Sequence, residues 1–209
     1  MEPGNPVKGK NKKLLVVGIT GVFGSGKTTV TEIFSTGGIP SFSLDNMVHE
    51  LYEKKEIIGG LASIFGKQAV RDGIPDRKVI SEKAFSDPLL RKKLEDLIHP
   101  LVFERCRQII FDWKRKGGII VFEVPLLFET KSDSFFDKIV VVSASPREIL
   151  SRLKRKFTAK DIKKRLANQI PLKEKEKKAT YVVCNSGSID ETTAQVKKLI
   201  GELQKALTG

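Results

Sequence analysis

Cysteine is scarce and unclustered. Cys106 and Cys184 are the only two in 209 residues, far apart in the chain. With no C-x-x-C and no Cys/His cluster, neither a zinc site nor a disulfide framework is indicated, and a reducing compartment fits. Long apolar runs are missing as well. The longest uncharged stretch, LLVVGITGVFGSG (14–26), is too short and too Gly-rich to span a bilayer, and no apolar leader with a small-residue cleavage site precedes it; a cytoplasmic protein with no membrane partner is expected. Aromatics are few, 12 Phe, two Tyr and one Trp, and none form a stripe interleaved with basic residues, so nucleic acid is not the expected partner. Acidic residues fall short of basic ones, 25 against 38, for a formal charge of +13. That excess admits nucleic acid, an anionic membrane surface or a phosphate-rich small molecule without choosing among them. Part of it lies in KEKEKKA (173–179), which reads as a solvated charged helix face.

What the chain has is an alternation. Short β-branched runs, LLVVGI (14–19), IPSFSL (39–44), IIVFEV (119–124), KIVVVSA (138–144) and TYVVC (180–184), are separated by helical patterns. Continuous rather than alternating hydrophobicity marks strands buried on both faces, hence a five-stranded, doubly wound parallel sheet in an α/β, three-layer αβα fold. Helix ends are signalled by Gly37-Gly38, by Ser145-Pro146 with Glu148, and by the Ser188/Glu191 capping spacing. After the last of these, Val196, Leu199, Ile200, Leu203 and Leu207 make one apolar face. About seventy residues between the second and third strands have helical signals and no convincing strand; the clearest helix is 99–118. The 40% hydrophobic content suits one domain. Residues 1–12 read as a mobile tail and 13–209 as a single domain, with a core of 13–44, 119–150 and 170–209, a helical substrate-binding insert at 45–118 and a helical lid at 151–169.

GVFGSGKT (21–28) matches G-x-x-x-x-G-K-[ST] between an apolar strand and an amphipathic helix. Glycines let consecutive N–H groups turn inward onto phosphate oxygens at the positive end of a helix. Lys27 then neutralises the moving phosphoryl group, and the Thr28 hydroxyl is placed to ligate Mg²⁺. A small-molecule kinase, a GTPase switch or a motor ATPase all use such a loop. TKSD (130–133) matches the guanine-reading string [NT]-K-x-D, but D-x-x-G occurs nowhere in the chain. Glu123, closing the third strand, sits where a second acid near Mg²⁺ is expected, acting through water; a turn-forming acid would sit there too. Asp45, closing the second strand, either faces the γ-phosphate as the acceptor's base or caps the next helix.

The loop, together with IPSFSLDNMVHELY, DGIPDRKVISEKAFSDP, LIHPLV, VFEVPLLFE and RLANQIPLKEKEKKATYVVCNSGS in that order, resembles the dephospho-CoA kinase family from about residue 14 to the C-terminal helix. The resemblance implies transfer of the ATP γ-phosphoryl group to the ribose 3′-hydroxyl of dephospho-CoA, with Mg²⁺, in a P-loop core with substrate and lid regions. Carried over by position, Gly24, Ser25, Gly26, Lys27, Thr28 and Thr29 cradle the ATP phosphates, with Asn185 also on the ATP side. Asp45 becomes the base, and Lys27 and Arg152 complete the catalytic set. Arg77, His99, Glu129 and Arg165 fall on the acceptor side together with Asp45. A monomer or small homo-oligomer is expected. Two departures stand out: Ser43 replaces the first acid of the family's D-x-D, and the lid is about two residues short, placing Arg155 or Lys156 where another arginine is expected. Another small-molecule kinase, acting on a nucleoside monophosphate, and a nucleotide-gated nucleic-acid binder are the alternatives.

Overall fold

The computed structural model of the chain describes residues 12–208. Of the expected tail only Lys12 falls among them, its N–H donating to Lys114 O at 3.1 Å; residues 1–11 lie outside the described residues.

Five parallel strands form the expected sheet: β1 (Leu14–Gly21), β2 (Ser41–Ser43), β5 (Gly118–Glu123), β6 (Lys138–Ser143) and β7 (Tyr181–Cys184), in the order β2-β5-β1-β6-β7. Alternate residues of the continuous apolar runs serve opposite faces. Val17, Ile19, Val121 and Val140 pack under α1 (Lys27–Thr36) and α9 (Ile189–Thr208), through Phe34, Val196 and Leu203. Val16, Ile120, Phe122 and Val141 pack on the other side against α2 (Leu44–Leu51), α3 (Lys55–Phe65) and α5 (Pro88–Lys116). Each such buried branched or aromatic side chain contributes about 1.5–3 kcal/mol, which is what holds helices on both faces. The sheet is thus covered on both sides, and its strand order reverses around β1, so the carboxyl end of β1 opens onto the crevice of a doubly wound fold.

The caps read from sequence form as hydrogen bonds. Ser145 Oγ accepts from Glu148 N at 3.2 Å at the start of α6 (Pro146–Lys154). Ser188 and Glu191 close a reciprocal box at α9, at 3.0 and 3.2 Å. The face of α9 buries Val196, Leu199, Ile200 and Leu203 as expected, while Leu207 near its end is only partly buried against the same cluster.

Three details differ from the sequence reading. The region 45–118 does contain strands: β3 (Val70–Arg71) and β4 (Ile74–Pro75) pair antiparallel around Asp72 and Gly73, both at positive φ, 51° and 77°. Asp-Gly is a strong two-residue hairpin signal, because both positions tolerate φ > 0. The helix expected at 99–118 is the second half of α5, which begins at Pro88 where Asp87 accepts from Leu89 N and Leu90 N. Pro100 removes one backbone donor from that helix without ending it, and His99 is a mid-helix residue rather than a helix entry. KEKEKKA is not wholly a solvated face: within α8 (Leu172–Lys177), Lys175 is completely buried. The insert is completed by α4 (Arg77–Ser86), and α7 (Ala159–Ala167) follows α6. Val22 of the Gly-rich loop packs with Ile149, Leu153 and Ile162 of α6 and α7, which brings the arm 151–169 over the loop.

Candidate active site

The Gly-rich loop leaves β1 and enters α1 through Gly26, whose φ is 91°. A side chain there would strain the backbone, and its Cβ would collide with Asn185 Nδ2. Gly24, at φ 83°, is equally confined, by Leu153 of α6. The loop is held from outside: Ser25 O accepts from Asn185 Nδ2 at 2.9 Å and from Arg152 Nη1 at 3.3 Å, and Arg152 Nη2 donates to Asn185 O at 2.7 Å. Thr192 Oγ1 donates to Asn185 Oδ1 at 3.1 Å, which uses the other end of that amide. Phe23 N–H donates to Gln169 Oε1 at 2.7 Å.

Above the loop lies a cleft of about 1070 Å³ lined by Gly24, Gly26, Lys27, Thr28, Glu123 and Arg152, among others. A second cavity of about 760 Å³ runs beneath α4 and α5, past Tyr52, Arg77 and Lys78. The two share Asp45, Phe85, Arg91, Glu95, His99 and Arg165, together with Leu126 and Phe157. Two adjoining spaces of this size suit two ligands meeting end to end.

Strand ends place the charged groups. Glu123 closes β5, 6% exposed, and accepts from Thr28 Oγ1 at 3.0 Å. Burial raises its pKa, against the Thr28 hydrogen bond and the Lys27 charge. Lys27 Nζ rests on the loop's own carbonyls, Val22 O at 3.2 Å and Gly21 O at 3.4 Å. Burial lowers its pKa, with Glu123 and Asp45 opposing. Asp45 does not end β2, which stops at Ser43; it is the second residue of α2. Nor does it cap that helix, because Ser43 Oγ accepts from Asn46 N, at 3.4 Å. Its side chain is open to solvent at the cleft mouth, yet the protein crowded around that mouth raises its pKa, with Lys27 and His49 pulling the other way. Thr28 and Glu123 offer two oxygens on one wall of the cleft. For Mg²⁺, which keeps several waters and takes phosphate oxygens, that sparse donor set fits; no cluster of three or more His, Cys, Asp or Glu that could hold a metal occurs among the described residues.

Of the residues singled out in the sequence, Gly24, Gly26, Lys27, Thr28, Glu123, Glu129 and Arg152 line the first cleft, Arg77 the second, and Asp45, His99 and Arg165 both. Ser25, Thr29 and Asn185 do not line either. Ser25 and Asn185 are buried, and the Asn185 amide is spent on the loop and on Thr192. Burial also lowers the His99 pKa, favouring the neutral ring. Glu129 has its oxygens engaged by Lys175 Nζ and Ile170 N. Arg165 lies over the rings of Phe23, Phe85 and Phe157, at 5.1–5.2 Å from each centroid, a cation–π setting that joins the loop, α4 and the arm. That cage was not read from sequence, since three phenylalanines 62 and 72 positions apart carry no local signal. Arg91, Glu95 and His99 had one: they follow each other at i, i+4 and i+8 along α5.

A sequence profile of the dephospho-CoA kinase family matches residues 15–191. The chain is 37% identical over 196 residues to a dephospho-CoA kinase of Leptospira interrogans serovar copenhageni, covering 92% of this chain and 94% of that one. Among solved structures, dephospho-CoA kinase from Campylobacter jejuni superposes with a TM-score of 0.70 at 26% identity, over 92% of this chain and 98% of its own. TT1252 from Thermus thermophilus superposes with a TM-score of 0.78 at 32% identity, over 92% and 99%.

Proposed function

This chain belongs to the dephospho-CoA kinase family, and from that premise we propose that it transfers the γ-phosphoryl group of ATP to the 3′-hydroxyl of the dephospho-CoA ribose, giving coenzyme A and ADP. ATP lies over the Gly-rich loop, its phosphates on the first-turn amides of α1, whose N–H groups have no helical partners. Dephospho-CoA enters the second cavity, with Arg77 and Arg165 facing its anionic part. The hydroxyl donates to Asp45, which takes its proton as the oxygen attacks the γ-phosphorus, while Lys27 leaves the loop carbonyls to neutralise the phosphoryl oxygens. When bound, Mg²⁺ would be held by Thr28 and, through water, by Glu123, and supplies charge neutralisation at the phosphates. The arm 151–169 serves as a lid that excludes water, with Arg152 holding the loop in register.

The observation that carries the reading is that Asp45 stands where the two cavities join and within the field of Lys27. Glu95 also lines both cavities, but its charge acts on His99, not on Lys27. A carboxylate is therefore placed between the phosphate cradle and the acceptor space. An acceptor panel with labelled ATP tests the assignment: label on dephospho-CoA is expected, and label on AMP or UMP instead would overturn it. No helix among the described residues is long and apolar enough to cross a membrane, and we place the enzyme in the cytoplasm as a monomer or small homo-oligomer.

A further inference from the structure

Lys175 is 0% exposed, while Lys173 and Lys177 of the same helix are 89% and 70% exposed. A buried ammonium is costly unless it is paired. Lys175 Nζ meets both oxygens of Glu129, at 2.8 Å to Oε1 and 3.1 Å to Oε2. Glu129 Oε1 also accepts from Ile170 N at 2.9 Å. The residue before Ile170 is Gln169, whose Oε1 takes the N–H of Phe23 in the Gly-rich loop at 2.7 Å. At the other end, Glu176 accepts from Ser143 Oγ at the end of β6, which ties α8 to the sheet. These contacts, joined through the chain at 175–176 and 169–170, run from the sheet, through a buried ion pair and the exit of the arm 151–169, to the outer edge of the loop.

We propose that Lys175 is a positioning residue for phosphoryl transfer: by clamping Glu129 it fixes Ile170 and Gln169, and through them the outer edge of the Gly-rich loop and the C-terminal end of the arm. The proposal rests on reading the cleft as a phosphoryl-transfer site. A buried ion pair is often no more stabilising than well-packed apolar residues of the same volume, so stability alone does not account for this one. The electrostatics agree with action through geometry. Lys175 lowers and Glu129 raises the pKa of Lys27, the Lys175 influence being the larger, so neutralising both members together removes two opposing influences on the catalytic lysine rather than one alone.

The test is therefore the double variant Lys175→Met/Glu129→Gln, compared with Gln169→Leu and with the triple variant. Measured are kcat, KM for ATP and dephospho-CoA, thermal midpoint, and amide exchange at Phe23 without ligands. The double variant keeps a midpoint near the parent's, loses kcat by about tenfold with a much smaller change in KM for dephospho-CoA, and exchanges the Phe23 amide about tenfold faster. Gln169→Leu shows the same losses, and the triple variant no more than either, because one path is cut once. A folded double variant with parental kcat and parental exchange, or losses that multiply in the triple, would overturn the proposal. Should the double variant fail to fold, Gln169→Leu decides alone by the same two readouts. A parent that leaves dephospho-CoA unphosphorylated refutes the proposed reaction, while the ligand-free exchange comparison still decides the clamp.

Discussion

Replacing Asp45 by Asn is the perturbation that separates a base from a structural carboxylate. The substitution keeps the shape of the side chain and removes its charge. It leaves the start of α2 intact, because the cap is Ser43 and not Asp45. It leaves the loop intact as well, since the loop's outer wall is made by Asn185, Arg152 and Gln169. What it removes is the proposed proton acceptor at the junction of the two cavities, a contribution of about 10²–10⁴ in rate, or roughly 3–5 kcal/mol of barrier at 1.36 kcal/mol per decade. Steady-state kinetics should show kcat reduced by that factor with KM for ATP little changed. Stability adds an independent sign. The folded-state pKa of Asp45 is raised above the reference of 3.8, so the folded protein binds the proton more tightly than the unfolded chain. Stability then falls as pH rises from the unfolded pKa through the folded one, and at neutral pH the ionised group is a cost. Asp45→Asn should therefore melt at or above the parent temperature at pH 7, with the gap closing near pH 3. Glu95→Gln is the control, because Glu95 shares the junction but not the field of Lys27. Undiminished turnover in Asp45→Asn, or the larger loss in Glu95→Gln, refutes the assignment.

Lys27→Ala takes away the one ammonium on the loop and should lower kcat by about 10²–10³, read in the same assay, with the fold intact by circular dichroism. Gly26→Ala forces a side chain to φ 91° and into Asn185; a backbone cost of about 1–3 kcal/mol and a large loss of ATP affinity by calorimetry are expected, and normal ATP binding would contradict the described loop. Ser43→Ala removes the α2 cap and should cost about 1 kcal/mol in denaturant unfolding, whereas Ser43→Asp, which retains a capping oxygen, should cost little.

The layered sheet was legible because each strand wrote its burial into a contiguous apolar run, and the helix ends because capping is a contact between residues three apart. Asp45 was legible as a candidate but not as to its role: strand end, helix cap and base are all compatible with SFSLDNM, and only the hydrogen bond from Asn46 N to Ser43 Oγ removes the cap from the choice. Asn185 and Glu129 show what local pattern leaves out: beside the ligand-side roles that their family positions imply, each carries hydrogen bonds to residues 41 to 160 positions away, a separation that no local pattern encodes. Lys175 was hidden for a further reason. In a run alternating Lys and Glu, one buried lysine has the same neighbours in sequence as the exposed ones, and its burial is set by Glu129 on a different element.

The positive charge that composition left undecided acquires a direction once the cleft is in place. Arg91, Lys131, Arg152, Lys156 and Arg165 line the space beside Lys27, and the ligands of the proposed reaction bring a triphosphate and a pyrophosphate into it. Low-dielectric walls bearing one sign of charge focus the field into a cleft and raise the rate of encounter with anions. A carboxylate whose oxygens are already engaged by neighbouring donors is poorly placed to take a proton from a hydroxyl. Two of the cleft acids are spent in that way, Glu123 on Thr28 and Glu129 on Lys175. Asp45 accepts no hydrogen bond among the described residues, and the crowding at the cleft mouth offsets the pull of Lys27 to leave its pKa raised. Asp45 and Glu95 both line the two cavities and accept no hydrogen bond among the described residues, and of the two it is Asp45 whose charge acts on Lys27.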